Sequence, residues 1–310
     1  MTPHAPGLDD PVEPPPETET YDVGVIGLGP AGVTAACELV RLGYSVIAIE
    51  KARIGGLVHM ARAVDNFPGI PPSSPGQTVV DMLWQHLGGF PPKVVDAEVA
   101  GLYHTGVGYG ISFGDSSVIC KSIILATGTV PQRLELPGEN LPWVHHMWTQ
   151  VPIKEDGLVA VIGGGDVAVD QALSLNDHGM QILLMLRSGE PRCNMVLKSE
   201  MELAEDFVIA TGLTILRFED RGGHQVVYSD GETQHHMVVD AVLVAIGRQP
   251  NLPPLNDQPL SLDKAIYLAS EGLFLAGDIV SERRRQVAIA MGSGLDAAMR
   301  CDEYFRRLLD

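Results

Sequence analysis

Two glycine-rich turns of the same design constrain this chain more than any other feature. The first follows the apolar run YDVGVIGL at 21–28 and reads GLGPAG at 27–32; the second follows LVAVI at 158–162 and reads GGGDVA at 163–168. A helical pattern and a further apolar strand follow each turn. The second strand ends 23 positions after the first glycine in both cases (50 − 27 and 186 − 163). Two β-α-β units of equal dimensions predict two nucleotide-binding folds in one chain.

Later strands that end in glycine indicate how the two units are connected. ILATG at 124–128, LVAIG at 243–247 and FLAGD at 274–278 each close an apolar run. We predict an α/β protein with two Rossmann-like nucleotide-binding domains of three-layer ββα form, the second inserted into the first. The first domain is expected at 21–129 and 241–310, and the inserted domain at 130–240. The acidic, proline-rich residues 1–20 are expected to form a disordered tail.

Composition and charge argue against several classes of partner. The chain has 39 acidic and 21 basic residues, for a net charge of -18. Such a surface repels nucleic acid and anionic membranes. The first 20 residues lack the charge and apolar run of a signal peptide, and glycines interrupt the apolar stretch at 23–40, so we expect a cytoplasmic protein. The four cysteines lie at least 73 residues apart, which predicts neither a disulfide framework nor a metal site.

The residues of the first turn fit a dinucleotide without a 2′-phosphate. Gly27 permits the tight turn, Gly29 lets the backbone approach a pyrophosphate, and Gly32 lets helix and strand pack closely. The start of the helix offers free N–H groups to the phosphates. Glu50 can accept hydrogen bonds from ribose hydroxyls and would repel a 2′-phosphate, which favours FAD or NAD.

The strand that follows the second turn has a different residue at its end. The position that matches Glu50 is Leu186, and Arg187 and Arg192 follow it. Two guanidinium groups without a competing carboxylate favour NADPH over NADH. The alternative is that both arginines are ordinary solvated surface charges, and Glu190 between them weakens the positive field.

With these motifs in place, residues 20–310 resemble the low-molecular-weight thioredoxin reductase family. Gly55-Gly56 followed by VDNFPG at 64–69, Gly277-Asp278, RQVA at 285–288 and GRQPN at 247–251 carry the resemblance. It implies FAD and NADPH as cofactors, a homodimer, and a rotation of one domain against the other during turnover. The family's second site reads HRRxxxR, of which two arginines remain here.

Motifs and resemblance together assign the cofactor residues. The expected FAD site consists of Gly27, Gly29, Pro30, Ala31, Gly32, Glu50, Lys51, Gly56, Leu57, Asn66, Thr127, Gly128, Gly277, Asp278, Arg285, Gln286, Val287 and Ala288. The expected NAD(P)H site consists of Gly163, Gly165, Asp166, Ala168, Arg187 and Arg192.

The chain departs from the family at the redox motif. Thioredoxin reductases carry a CxxC before the second glycine turn, and the two positions counted back from Gly163 are His146 and Thr149 here. Without a pair of thiols, electrons cannot pass to a protein disulfide by exchange. The resemblance places His146 and Trp148 near the flavin, where they are candidate catalytic residues, one for proton transfer and one for stacking or gating. The alternative is that they fill the space of the missing disulfide.

The sequence therefore predicts an FAD-dependent NAD(P)H oxidoreductase that is not a disulfide reductase. Hydride passes from nicotinamide to flavin, and the acceptor is a ferredoxin- or flavodoxin-like protein or a small molecule. Two alternatives stay open. The protein is a flavin-binding redox or nucleotide sensor with little turnover, or an NADPH oxidase that uses O2.

Overall fold

The computed structural model describes residues 18–282 and 284–309. Most of the predicted tail, residues 1–17, lies outside the described residues. The expected end of that tail at residue 20 is wrong, because Thr20 begins the first strand and Ile119 N donates a hydrogen bond to Glu19 O at 2.9 Å. No helix within the described ranges is both long and apolar enough to span a bilayer.

Each glycine turn joins a strand to a helix, and a parallel strand follows the helix, as the sequence predicts. The strands are β1 (Thr20–Ile26), β2 (Val46–Glu50), β3 (Lys93–Asp96), β4 (Val99–Thr105), β5 (Gly108–Phe113), β6 (Ser116–Leu125), β7 (Thr129–Pro131), β8 (Val144–His145), β9 (Leu158–Ile162), β10 (Gln181–Met185), β11 (Phe207–Ala210), β12 (Thr214–Asp220), β13 (His224–Ser229), β14 (Gln234–Val238), β15 (Ala241–Val244), β16 (Arg248–Pro250) and β17 (Leu273–Leu275). The α-helices are α1 (Pro30–Arg41), α2 (Gly76–Gly89), α3 (Asp166–Asp177), α4 (Met195–Leu203), α5 (Leu262–Tyr267) and α6 (Val287–Arg307).

The described residues form two compact units, one of 18–129 with 250–309 and one of Val130–Gln249. In the first unit a mixed sheet runs in the order β3-β2-β1-β6-β5-β4, and β17 pairs with the far end of β6. The strands β3, β2, β1, β6 and β17 are parallel, while β4, β5 and the start of β6 form an antiparallel meander.

Both faces of the first sheet are buried. Val23 and Val25 pack with α1, α2 and α6 on one side, while Ile26 packs with the meander side. A strand covered on both faces reads as a continuous apolar run, which is the pattern of the sequence around β1. The arrangement is three-layered, with helices, parallel strands and a meander.

The second unit repeats this plan with a separate meander. Its parallel sheet runs β11-β10-β9-β15-β8, and β12-β13-β14 form an antiparallel sheet of their own. The prediction that the chain leaves the inserted domain at residue 240 is wrong. Strand β15 (Ala241–Val244) pairs in parallel with β9, so residues 241–249 belong to the second unit. The two crossings of the chain, β7 and β16, pair with one another.

Candidate functional site

Two glycines of the first turn, Gly27 and Gly32, lie directly against neighbouring backbone. Gly27 has φ 92°, and a Cβ there would lie 2.5 Å from the carbonyl oxygen of Ala126. A Cβ at Gly32 would lie 1.8 Å from the carbonyl oxygen of Gly27. Neither position has room for a side chain, so α1 can pack this close to β1 only with glycine at both.

The same turn is open on its other side. A Cβ on Gly29 would meet no described atom within 4 Å. Helix α1 begins at Pro30 with no side-chain cap from the described residues. The first N–H groups of α1 and its positive dipole end are therefore available to an anion. A Cβ on Gly56 would lie 3.2 Å from Gly29 Cα, so a glycine at position 56 leaves backbone atoms, and no side chain, beside Gly29. The geometry fits a pyrophosphate.

Glu50 lies at the end of β2 and is held by the backbone. Its Oε2 accepts a hydrogen bond from Leu28 N at 2.7 Å, and its Oε1 accepts one from Ala52 N at 2.9 Å. Each carboxylate oxygen keeps a further lone pair for a ribose hydroxyl. The neighbouring Lys51, also predicted to contact the cofactor, is ion-paired with Glu98 at 2.8 Å.

Motifs far apart in sequence meet in the first unit. Asn66 Nδ2 donates to Gln286 Oε1, and Thr127 Oγ1 donates to the carbonyl oxygen of Asn251. Gly277 N donates to Ser293 Oγ at 3.0 Å. These bonds join the segments that the resemblance assigns to the flavin.

The remaining predicted flavin residues occupy turns and helix starts. Gly277 has φ 79°, and a Cβ on it would lie 2.8 Å from Ala31 Cβ. The others are placed as follows: Leu57 in the 3₁₀ turn Gly56–Met60, Gly128 after β6 with φ 63°, Asp278 in the 3₁₀ turn Gly277–Ile279, Arg285 and Gln286 just before α6, and Val287 and Ala288 at its start.

The second turn is built like the first but leaves more room where its helix packs against the turn. Gly163 has φ 131°, and a Cβ there would lie 2.2 Å from Ala245 O but 3.4 Å from Ala168 Cβ. A Cβ on Gly165 would meet no described atom within 4 Å, and α3 begins immediately after it at Asp166. The methyl group of Ala168 takes the place that Gly32 holds in the first unit.

The loop that carries Arg187 and Arg192 is hydrogen-bonded to this turn. Arg192 N donates to Gly164 O at 2.6 Å, and Asn194 N donates to Asp166 Oδ1 at 2.7 Å. Leu186 is buried, whereas Arg187 and Arg192 are exposed. Cations near an open helix start suit a phosphorylated ribose.

Two features of this loop were not evident in the sequence. Asn194 caps α4 by accepting bonds from Val196 N and Leu197 N while its own backbone binds Asp166, and the signal for it was an asparagine just before a helical pattern. Glu190, expected to weaken the field of the arginines, lies 3.4 Å from Lys198 Nζ.

The segment that stands in place of the CxxC belongs to the second unit. His145 ends β8, whose pairing with β15 sets His145 opposite Leu243. His146 follows it, with a side chain that is 16% exposed. Burial, then the charge of Arg133, lowers the pKa of His146, while Glu139 and the backbone of Val244 act in the opposite direction. Burial thus favours the neutral form of the His146 imidazole.

Trp148 packs into its own unit. Its ring lies against the helix-side core of the second unit, 5.3 Å from the ring of His178. Its backbone N–H donates to Gln171 Oε1 at 2.8 Å. These contacts hold the tryptophan against the core of the second unit, and its predicted role at the flavin stays a prediction.

Sequence reasoning missed Glu139. Its carboxylate is 4% exposed and lies 3.7 Å from His146 Nε2 and 4.0 Å from Arg133 Nε. The sequence shows only a glutamate in a Pro-Gly-Glu loop, which predicts a solvated turn.

Two dinucleotide-shaped turns on parallel sheets, one unit inserted in the other, define a thioredoxin reductase-type α/β fold. The thioredoxin reductase of Lactococcus lactis has this structure, with a TM-score of 0.83 and 25% identity over 93% of this chain and 99% of that one. Residues 21–294 match the family described as pyridine nucleotide-disulphide oxidoreductase. The chain belongs to that family of FAD- and NAD(P)H-dependent enzymes.

Individual relatives are distant. The thioredoxin reductase of Chlamydia trachomatis serovar D is 28% identical over 309 residues, which cover 90% of this chain and 97% of that protein. Bacillithiol disulfide reductase Bdr of Bacillus cereus shares the fold with a TM-score of 0.77 at 20% identity.

Proposed function

We propose that this chain is an FAD-dependent oxidoreductase that takes electrons from NADPH and gives them to an acceptor other than a protein disulfide. The observation that carries the proposal is the contrast between two well-formed dinucleotide turns and the absence of a cysteine pair from the sequence. When bound, FAD accepts hydride equivalents from a nicotinamide and releases electrons to an acceptor.

The first unit supplies the FAD site in this proposal. The open start of α1 and the backbone at Gly29 and Gly56 hold the pyrophosphate, and the anchored carboxylate of Glu50 holds the adenosine ribose. The second unit supplies the NADPH site. Gly165 and the start of α3 hold the pyrophosphate, and Arg187 and Arg192 bind the 2′-phosphate.

The states of the four cysteines support a non-disulfide acceptor. Burial raises the pKa of Cys37 to about 11 and those of Cys120 and Cys301 to about 12. Burial, and then the charge of Asp166, raises the pKa of the half-buried Cys193 as well. None of these thiols is set up to be the thiolate that disulfide exchange requires.

Anaerobic mixing of the flavin-loaded protein with NADPH or NADH tests the proposal. Rapid bleaching of flavin absorbance by NADPH is expected, followed by reoxidation with a quinone, a ferredoxin or O2 in an acceptor screen. Failure of both nucleotides to bleach the flavin would favour the sensor alternative. Release of peroxide at the rate of NADPH consumption would identify the oxidase alternative. Efficient reduction of thioredoxin would overturn the proposal.

We further propose that the protein acts in the cytoplasm as a homodimer. Apolar side chains are exposed on two helices of the first unit, with Trp84 on α2 and Leu295 and Met299 on α6. Exposed large apolar groups on two helices that both contact α1 favour association. Light scattering should give twice the chain mass, and a Trp84→Ser, Met299→Ser variant should shift toward the monomer. A monomeric parent protein would exclude the dimer.

A further inference from the structure

Asp166, which its motif assigns to the NAD(P)H site, bonds through its carboxylate to the loop that carries the two arginines. We call residues 187–194 the arginine loop. Asp166 Oδ1 accepts hydrogen bonds from Asn194, at 2.7 Å from the backbone N and at 3.4 Å from Nδ2. Asp166 is the first residue of α3, directly after the second glycine turn. Its carboxylate thus joins the glycine turn to the end of the arginine loop.

Asn194 passes this attachment on to the next helix. Its side-chain Oδ1 accepts hydrogen bonds from Val196 N at 3.0 Å and from Leu197 N at 3.1 Å, which caps the start of α4. Its backbone oxygen accepts a bond from Lys198 N at 3.0 Å. Asp166 and Asn194 together therefore tie the start of α4 to the start of α3.

The arginine loop itself runs over the surface of the second unit. Residues 187–190 are exposed, and the loop begins directly after the buried Leu186. Arg192 N donates to Gly164 O at 2.6 Å, and the bond to Asp166 follows two residues later. The conformation of the exposed part of the loop therefore depends on these two attachments to the glycine turn and the start of α3.

The charge of Asp166 argues against a direct contact with a dinucleotide. A pyrophosphate is negatively charged, so a carboxylate at the start of α3 repels it. The same carboxylate makes a strong, charge-assisted hydrogen bond with a backbone N–H. A loop that is already held in place loses less conformational freedom when a ligand binds, which strengthens binding. The benefit of an aspartate here therefore comes from what it does to the loop.

From these bonds we infer that Asp166 is a positioning residue that gives the second site its specificity for a 2′-phosphorylated dinucleotide. It holds Asn194 and, through it, the arginine loop, so that Arg187 and Arg192 meet the 2′-phosphate with the loop already ordered. The inference rests on the proposed function, since it requires that the second unit binds NADPH. It predicts that Asp166 matters for nucleotides that carry a 2′-phosphate and not for those that lack one.

Calorimetric titration of the flavin-loaded protein with NADP⁺ and NAD⁺ tests the inference without turnover. Asp166→Ala removes the acceptor and should weaken NADP⁺ binding about tenfold, while NAD⁺ binding should not weaken, because a repelling charge is lost. Asp166→Asn keeps an oxygen for Asn194 N and should bind NADP⁺ within about threefold of the parent. Asp177→Ala removes an exposed carboxylate from the last residue of α3 and is the matched control, with both affinities unchanged.

Trypsin, which cleaves after arginine, reports the order of the loop without any nucleotide. Cleavage at Arg187 and Arg192 should be faster in Asp166→Ala than in the parent, and cleavage elsewhere should be unchanged. Asp166→Asn and Asp177→Ala should be cleaved at the parent rate.

Two results would overturn the inference: an unchanged NADP⁺ affinity in Asp166→Ala, or an equal loss of NAD⁺ affinity in that variant. A parent protein that binds NADP⁺ no more tightly than NAD⁺ would overturn it as well. The proposed function fails separately. If NADP⁺ binds with the expected dependence on Asp166 but NADPH does not bleach the flavin, the oxidoreductase is rejected and the role of Asp166 in binding stands.

Discussion

The two glycine turns share a backbone plan and differ where a ligand would be distinguished. In the first, a carboxylate at the end of β2 is fixed by Leu28 N and Ala52 N; in the second, the matching residue is the buried Leu186, with exposed cations beside it. The first turn also has no room for a Cβ at Gly32, whereas the second turn accommodates the methyl group of Ala168. Both turns have a backbone shaped for a pyrophosphate, and the end of the second strand carries the difference by which such folds distinguish a ribose from a phosphorylated ribose.

The largest effect is expected when Gly32 of the first turn is replaced by alanine, the residue at the matching position of the second turn. In Gly32→Ala the new Cβ would lie 1.8 Å from a backbone oxygen, so α1 must move. We expect a loss of about 3 kcal/mol in the free energy of unfolding and loss of bound flavin. Denaturant unfolding and the visible spectrum measure both. Gly88→Ala, in α2 with no described atom within 4 Å of its Cβ, is the control and should not destabilise. A flavin-replete Gly32→Ala protein would disprove the packing argument.

Removing the carboxylate of Glu50 should have the second-largest effect, a loss of FAD affinity at the first site. Glu50→Gln keeps only one of the two oxygens that accept from backbone N–H groups, and it loses the charge-assisted bonds to ribose, worth about 1.5–3 kcal/mol. FAD affinity, measured by fluorescence titration of the apoprotein, should fall about 10- to 100-fold. Glu98→Gln removes a nearby exposed carboxylate that pairs with Lys51 and should have little effect. Equal losses in the two variants would mean that Glu50 acts only through net charge.

Substitution of the arginines of the second site should have a smaller effect, and only on NADPH. Arg192→Gln is expected to raise the KM for NADPH about tenfold, because one charge-assisted contact to the 2′-phosphate is lost, and Arg187→Gln should act in the same direction. The KM for NADH should stay the same. Arg217→Gln, which removes a cation paired with Glu219 in the meander, is the control. If NADPH and NADH respond alike, the solvated-surface interpretation of the arginines holds.

The smallest expected effect is on the pH dependence of stability. Burial lowers the pKa values of His145 and His146 from their ordinary 6.5 in the folded protein. Below pH 6.5 the unfolded chain binds protons that the folded chain does not, so stability should fall as pH drops until the folded pKa values are reached. His146→Gln should reduce this slope by a few tenths of a kcal/mol per pH unit, measured by denaturant unfolding between pH 5 and about 7. A parent protein whose stability rises on acidification through this range would contradict it.

The fold was predictable because its signals are local. Apolar runs, glycine turns and equal strand spacing each lie within about thirty residues. The error at residue 241 arose because LVAIG at 243–247 resembles ILATG at 124–128, and pairing with β9, eighty residues earlier, decides its sheet. The packing of Trp148 on His178, thirty residues later, was missed for the same reason. The partners of Glu139 are close to it in sequence, but no local pattern shows that this loop is buried.

The pairing of the two chain crossings has a consequence for how the protein can be rearranged. Gln132 N donates to Gly247 O, and Asn251 N donates to Gly128 O at 3.1 Å, so the chain enters and leaves the second unit at one place. In topological terms the whole of Val130–Gln249 is a loop of the first unit, with its ends as close as those of a hairpin. Joining residue 128 to residue 251 through a short turn would leave every strand of the first sheet intact. The insertion is thus a natural site for circular permutation and for exchange of one nucleotide module for another.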